Sequence, residues 1–143
     1  MEGHFHAQNP WLRYHRLLTK QTAALVGAQP REVVVMNSLT VNLHLMMASF
    51  YQPTRKKHRI LVEGGAFPSD QYAVQSQIIF HGFDPASSLL ELTPRQGESC
   101  MRDEDIESLI EREAESIALI LVGGVNYVTG QAFDMARIVK AGQ

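Results

Sequence analysis

The chain has almost nothing with which to cross-link, anchor or address itself. Cys100 is its single cysteine, which excludes an internal disulfide framework and fits a reducing compartment. With no nucleophile context around it, the thiol reads as inert. Long apolar runs are missing as well. The longest, residues 117–122, falls far short of the roughly 20 residues that span a bilayer. The opening Met1-Glu2-Gly3-His4-Phe5-His6 has neither the basic region nor the apolar core of a signal peptide. A cytoplasmic protein without a membrane partner is expected. Charge of one sign is also scarce. Thirteen Lys and Arg against fifteen Asp and Glu leave a formal net charge of -2, which is no footprint for nucleic acid. The run Arg55-Lys56-Lys57-His58 lacks a basic helix or interleaved aromatics, so it reads as a solvated loop.

Several chemistries are excluded by missing motifs. No G-x-G-x-x-G follows a strand and no G-x-x-x-x-G-K-[ST] occurs, so neither a dinucleotide site nor a P-loop is supported. There is no G-x-S-x-G nucleophile elbow. His4-x-His6, with His15 beyond, has no cysteine or carboxylate at ligand spacing, and no metal is expected. His44 sits in an apolar helical stretch and reads as a core histidine; His58 and His81 lie beside loops.

What is present is alternation of strand and helix signals along 143 residues, enough for one domain with a sizeable core. Residues 1–10 read as an irregular arm and 11–27 as a helix stopped by Gly27. A strand over 32–36 turns through Asn37-Ser38 into a helix over 38–51, apolar nearly all round and therefore expected to be buried on most sides. A second strand, 60–62, closes at Gly64-Gly65. Pro68-Ser69-Asp70 then opens a helix, with Ser69 or Asp70 as cap, that runs to 80. A third strand covers 89–92. Arg102-Asp103-Glu104-Asp105 begins a helix with acidic residues in its first turn and Ile106, Leu109 and Ile110 on its buried stripe. Residues 116–122 form a strand of the kind buried on both faces of a parallel sheet. A loop at 126–131 leads to a last helix over 134–141. The pattern is α/β: a partial, mainly parallel sheet of about four strands flanked by helices. It stops where another strand–helix unit is expected, leaving one side of the sheet uncovered.

In such sheets ligands collect at the carboxyl ends of strands. Three ends carry suggestive groups. Asn37-Ser38-Leu39-Thr40 offers backbone N–H groups, a helix dipole and a hydroxyl, which suit a phosphate, although the same residues also make an ordinary turn. Phe67-Pro68-Ser69-Asp70 sets an aromatic ring beside a carboxylate, a pair able to stack on a heteroaromatic ring and bond its edge. Phe67 alone also reads as core. Gly123-Gly124-Val125-Asn126-Tyr127 allows close backbone approach. Together they sketch a pocket for a phosphorylated aromatic cofactor.

Four stretches resemble kynureninase: Met36-Asn37-Ser38-Leu39-Thr40-Val41-Asn42-Leu43-His44; Ala66-Phe67-Pro68-Ser69-Asp70; Val125-Asn126-Tyr127 with Thr129-Gly130-Gln131; and Glu2-Gly3-His4-Phe5-His6. The resemblance implies a segment of the large domain of the aspartate-aminotransferase fold, with residues 1–143 as one incomplete pyridoxal 5'-phosphate-binding piece. It implies hydrolysis of L-kynurenine, or its 3-hydroxy form, to an anthranilate and L-alanine, in tryptophan catabolism and NAD biosynthesis, by a homodimer. Matched to the family's motifs, Leu39 and Thr40 hold the cofactor phosphate and Phe67 stacks on the pyridine ring. Pro68, Ser69 and Asp70 complete that loop. His4 lies near the substrate's aryl group, and Gly123 stands where some relatives carry a serine.

The family's Schiff-base lysine is matched by none of Lys20, Lys56, Lys57 and Lys140. Its partner aspartate, histidine and tyrosine lie beyond Gln143 in the family. The chain is thus expected to be an internal piece, Met1 its first retained residue, and inactive alone. Two other readings stay open: another enzyme of the same fold, such as a class V aminotransferase or a cysteine desulfurase, and a non-catalytic α/β phosphate-binding module.

Overall fold

The computed structural model describes residues 2–143, so Met1 lies outside the described residues. The chain forms two compact units, one up to Asn42 and one from Leu43 onward. In the first, α1 (Glu2–Phe5) is a single turn where an irregular arm was expected. The helix expected over 11–27 is split. A 3-10 helix covers Trp11–Arg16, and α2 (Thr19–Val26) ends at Gly27, whose φ of 69° is the left-handed stop.

The strand expected at 32–36 does not form. Pro30–Glu32 is a 3-10 turn closed by a reciprocal capping box between Gln29 and Glu32. Val33 is extended (φ -122°, ψ 132°), yet residues 33–36 pair with no strand among the described residues. An extended apolar segment becomes a strand only where a neighbour takes up its N–H and C=O groups. The helix that follows, α3 (Leu39–Phe50), is also unlike its expectation. Met47 is buried, but Leu39, Val41, Leu45, Met46 and Phe50 are exposed.

The second unit is built around β1 (Arg59–Glu63). Among the described residues the sheet has three strands rather than four, in the order β2-β1-β3, with β2 over Leu89–Leu92 and β3 over Ile117–Leu121. Both pairings are parallel. Ile60 stands opposite Leu89 on one side and Leu119 on the other. Alternation along β1 sends side chains to both faces. Ile60 and Val62 pack with Met47, Tyr51, Ala73, Val74 and Ile78, from α3 and α4 (Pro68–Phe80) and the turn after α3. Leu61 packs on the other face with Ile106 and Ile110 of α6 (Asp103–Glu113) and Ile138 of α7 (Met135–Ala141). The short α5 (Pro85–Ser88) delivers the chain into β2, its start capped by Asp84. β3 was expected to be buried on both faces, but only Ile117 is; residues 118–121 are half-buried. It is an edge strand here, and a cavity of 640 Å³ lined by its residues with Ile138 and Val139 runs beside it.

Two contacts fix how elements meet. Arg137 of α7 bonds Glu107 of α6 through Nε and Nη2, both at 2.7 Å, and Asp103 through Nη1 at 3.1 Å. The hydrogen bond and the charge of Arg137 hold the Glu107 carboxyl below its ordinary range. At the end of β1, Gly64 passes so close to β2 that its N–H donates to the Leu92 carbonyl at 2.6 Å. A Cβ there would stand 2.7 Å from that carbonyl oxygen.

Gly64→Ala should therefore force the backbone apart and cost about 1–3 kcal/mol, read as a lower denaturant midpoint with an unchanged slope. A carboxyl held low in the fold stabilises above the ordinary carboxylate range and stops doing so as pH falls through its folded value. Glu107→Gln should therefore lower the urea midpoint slightly at pH 7. The gap to the unsubstituted chain should narrow as pH falls below about 4.3 and close only below the lowered folded value.

Candidate functional site

Because β1 and β3 are parallel, their carboxyl ends open at the same edge of the sheet. From β1 the chain turns at Gly64-Gly65 and enters α4. The helix cap is Phe67, not Ser69 or Asp70, and no side chain bonds the first N–H groups of the helix. Pro68 decides this. Its fixed φ and missing N–H suit the first helical position, which sets the cap at Phe67, two residues before the Ser69 hydroxyl and three before the Asp70 carboxylate. The Phe67 ring stays 52% exposed. Ser69 Oγ donates to Asp70 Oδ1 at 3.1 Å, and both side chains lie half-buried in the first turn.

From β3 the chain passes Gly123 and folds into a tight turn. Val125 and Ala132 form an isolated antiparallel bridge, and Asn126 N–H donates to the Gln131 carbonyl at 2.8 Å. The Asn126 side chain is 5% exposed and organises the turn from within. Its Oδ1 accepts from Val128 N–H (3.0 Å), Thr129 N–H (2.9 Å) and Thr129 Oγ1 (3.1 Å). Its Nδ2 donates to Glu63 Oε2 at 2.8 Å. Gln131 ties the other end of the turn to Met101, accepting from its N–H at 2.8 Å and donating to its carbonyl at 2.6 Å. The result sets Tyr127 edge-on to Phe67, ring centroids 5.3 Å apart at 71°.

Two strand ends predicted from sequence thus meet. A Cβ on Gly123 would lie 3.3 Å from Glu63 Oε1 and from the Val125 carbonyl oxygen, so position 123 is tightly bounded. Sequence reading did not pick out Glu63 or the role of Asn126. Signals for both exist: an acidic residue ending an otherwise apolar strand, and Asn followed three residues later by Thr, the pattern of a side-chain-closed turn.

Leu39 and Thr40 belong to the first unit. Asn37 takes φ 47°, the left-handed region that an asparagine tolerates, and turns the chain into α3. The Ser38 carbonyl accepts from Asn42 N–H at 3.0 Å. That first helical bond lies beyond Leu39 and Thr40, whose N–H groups have no acceptor within the helix. Asn42 Nδ2 donates back to the Met36 carbonyl at 2.9 Å, bracing the turn. Its Oδ1 is buried with no partner among the described residues. Leu39 is exposed, and Thr40 is half-buried with its hydroxyl in the first turn. His4 is exposed on α1, its ring 5.2 Å from that of Trp11. His44 is half-buried and shares a 2.9 Å hydrogen bond with Gln77. Cys100 is free and exposed.

No family model matches the chain. Individual proteins do. It is 78% identical over 142 residues to a kynureninase of Koribacter versatilis, covering 99% of this chain and 34% of that protein. Identity is 61% over 141 residues to a kynureninase of Myxococcus xanthus, covering 99% of this chain and 33% of that protein. A kynureninase of the animal Nematostella vectensis is 53% identical over 141 residues, 99% of this chain and 30% of that protein. The chain belongs to the kynureninase family. It spans about a third of the length of the curated relatives it matches. No helix among the described residues is long and apolar enough to cross a membrane.

The left-handed turn at Asn37 generates a check on how the start of α3 is held. Asn37→Gly should leave the chain as stable as before, whereas Asn37→Val should cost about 1–2 kcal/mol. Faster amide exchange at the first turn of α3 would report the difference.

Proposed function

We propose that the chain carries part of the cofactor seat of a pyridoxal 5'-phosphate-dependent kynureninase of the aspartate-aminotransferase fold. Residues 1–143 are then a segment of the large, cofactor-binding domain. The parent reaction is hydrolytic cleavage of the Cβ–Cγ bond of L-kynurenine or 3-hydroxykynurenine, releasing an anthranilate and L-alanine. The parent protein works in the cytoplasm as a homodimer. The observation that carries the reading is the Phe67–Tyr127 ring pair at the joined ends of β1 and β3. It occurs in a chain 78% identical to a protein named kynureninase.

The side chains suit such a cofactor by their chemistry. The free N–H groups of Leu39 and Thr40, with the Thr40 hydroxyl, are donors of the type a phosphate takes at a helix start. The exposed face of Phe67 provides a flat apolar surface for a pyridine ring, and the Ser69–Asp70 pair supplies polar contacts at its edge. His4 is assigned to the substrate's aryl end, and Gly123 to close backbone approach. When bound, pyridoxal phosphate supplies the electron sink for carbanion chemistry, while the protein supplies binding and orientation. The family's reactive lysine matches none of the chain's lysines, so these residues bind and orient but do not complete the reaction. Kynureninase relatives favour this reading over transamination or sulfur release.

Titration of the chain with pyridoxal phosphate, followed by cofactor absorbance, should show saturable uptake. Thr40→Val and Phe67→Leu should each weaken it about tenfold, or about 1.4 kcal/mol. No uptake by the folded chain would favour a non-catalytic module instead. Incubation with L-kynurenine should release no anthranilate; measurable release would overturn the placement of the reactive lysine outside these residues.

A further inference from the structure

The cofactor reading assigns work to Phe67 and Asp70 but leaves unexplained why a carboxylate is buried next to them. Glu63 ends β1 with 8% of its surface exposed, between an apolar strand and a glycine pair. A buried carboxylate is costly unless its oxygens find donors. Glu63 finds one in Asn126, across the sheet edge on the turn after β3. Asn126 spends its other side-chain atom on three bonds inside that turn. The chain of contact is therefore continuous. Glu63 fixes the Asn126 amide, the amide fixes residues 127–129, and Tyr127 in that stretch meets Phe67, four residues after Glu63 itself.

We propose that Glu63, acting through Asn126, is a positioning residue that sets the Phe67–Tyr127 ring pair and thereby the aromatic wall of the cofactor site. The proposal rests on the cofactor reading for its consequence, but its geometric half stands without it. The amide orientation is what the carboxylate determines. A carboxylate accepts only, so it draws Nδ2 toward itself and leaves Oδ1 facing the Val128 and Thr129 N–H groups. Without an acceptor at 63 the buried Nδ2 has lost its partner, and the amide can regain one only by moving away from the place where Oδ1 closes the turn. The small residue at 123 is part of the same device, because a Cβ there already crowds Glu63 Oε1.

The test compares Glu63→Leu and Glu63→Gln in the full chain by amide hydrogen exchange and by the ring-to-ring nuclear Overhauser effect between Phe67 and Tyr127, both without cofactor. Glu63→Leu should speed exchange at Val128 and Thr129 at least tenfold relative to Ile60 and Leu61, and erase the ring contact. Glu63→Gln, whose amide oxygen still accepts from Asn126, should restore most of both. Pyridoxal phosphate affinity should follow the same order, whereas Phe67→Leu should weaken the cofactor without changing exchange at Val128 and Thr129. If Glu63→Leu also unprotects Ile60 and Leu61, global unfolding has intervened. Asn126→Ser then decides: its hydroxyl still closes the turn but falls short of Glu63, and a lost ring contact supports the proposal. Unchanged exchange and an intact ring contact in Glu63→Leu, or in Asn126→Ser where that variant decides, overturns it. A lost ring contact with no effect on cofactor uptake overturns the cofactor reading and leaves the clamp standing.

Discussion

The structure of the second unit depends on β1 being satisfied in every direction at once. Its backbone is paired on both edges, with β2 and with β3. Its side chains are buried on both faces, Ile60 and Val62 toward α3 and α4, Leu61 toward α6 and α7. Each such side chain is worth about 1.5–3 kcal/mol of burial, and among the described strands β1 alone is paired along both edges. Parallel pairing then has a geometric consequence. All three strands point the same way, so the loops that leave their carboxyl ends crowd one edge, and loops are where an otherwise apolar sheet can present chemistry. The strand order puts the end of β1 beside the end of β3. That is why Glu63 and Asn126, sixty-three residues apart, can share a hydrogen bond.

Much of this was legible in the residues. The strands at 60–62 and 89–92, the helix opening at Pro68 and the acidic start of α6 all form where local chemistry places them. Local and tertiary preferences agree there. The misreadings share a cause. The apolar run at 33–35, the apolar surface of α3 and the run at 117–121 each state a preference for burial, and hydrophobicity says nothing about which neighbour provides it. Val33 is extended as its composition demands, but pairing needs a second strand. β3 has the composition of a central strand and occupies an edge. The cap of α4 failed for a narrower reason: proline's demand for the first helical position outranked the capping preference of Ser69 and Asp70.

The site shows the same division. Phe67, Pro68, Ser69 and Asp70 stood out as candidates because they are contiguous and follow a strand. Leu39 and Thr40 stood out as candidates because free N–H groups follow from any helix start. Tyr127 is different. Its relation to Phe67 depends on the sheet register and on a turn closed by side chains, neither of which a linear reading contains. Family resemblance drew attention to Asn126 and Tyr127 as a pattern, and only coordinates give the pattern a physical cause.

That cause bears on how an exposed aromatic is held in place. Phe67 is half in solvent, and an exposed ring has little packing to fix its orientation. Burying the carboxylate of Glu63 is unfavourable taken alone. Its hydrogen bond to Asn126, and the three bonds that Asn126 makes inside its turn, convert that cost into order at a place where apolar packing cannot reach. A leucine at 63 would suit β1 better by burial and would leave the turn unoriented. The polar cluster at this edge is therefore best understood as the means by which a stable sheet specifies the geometry of its loops.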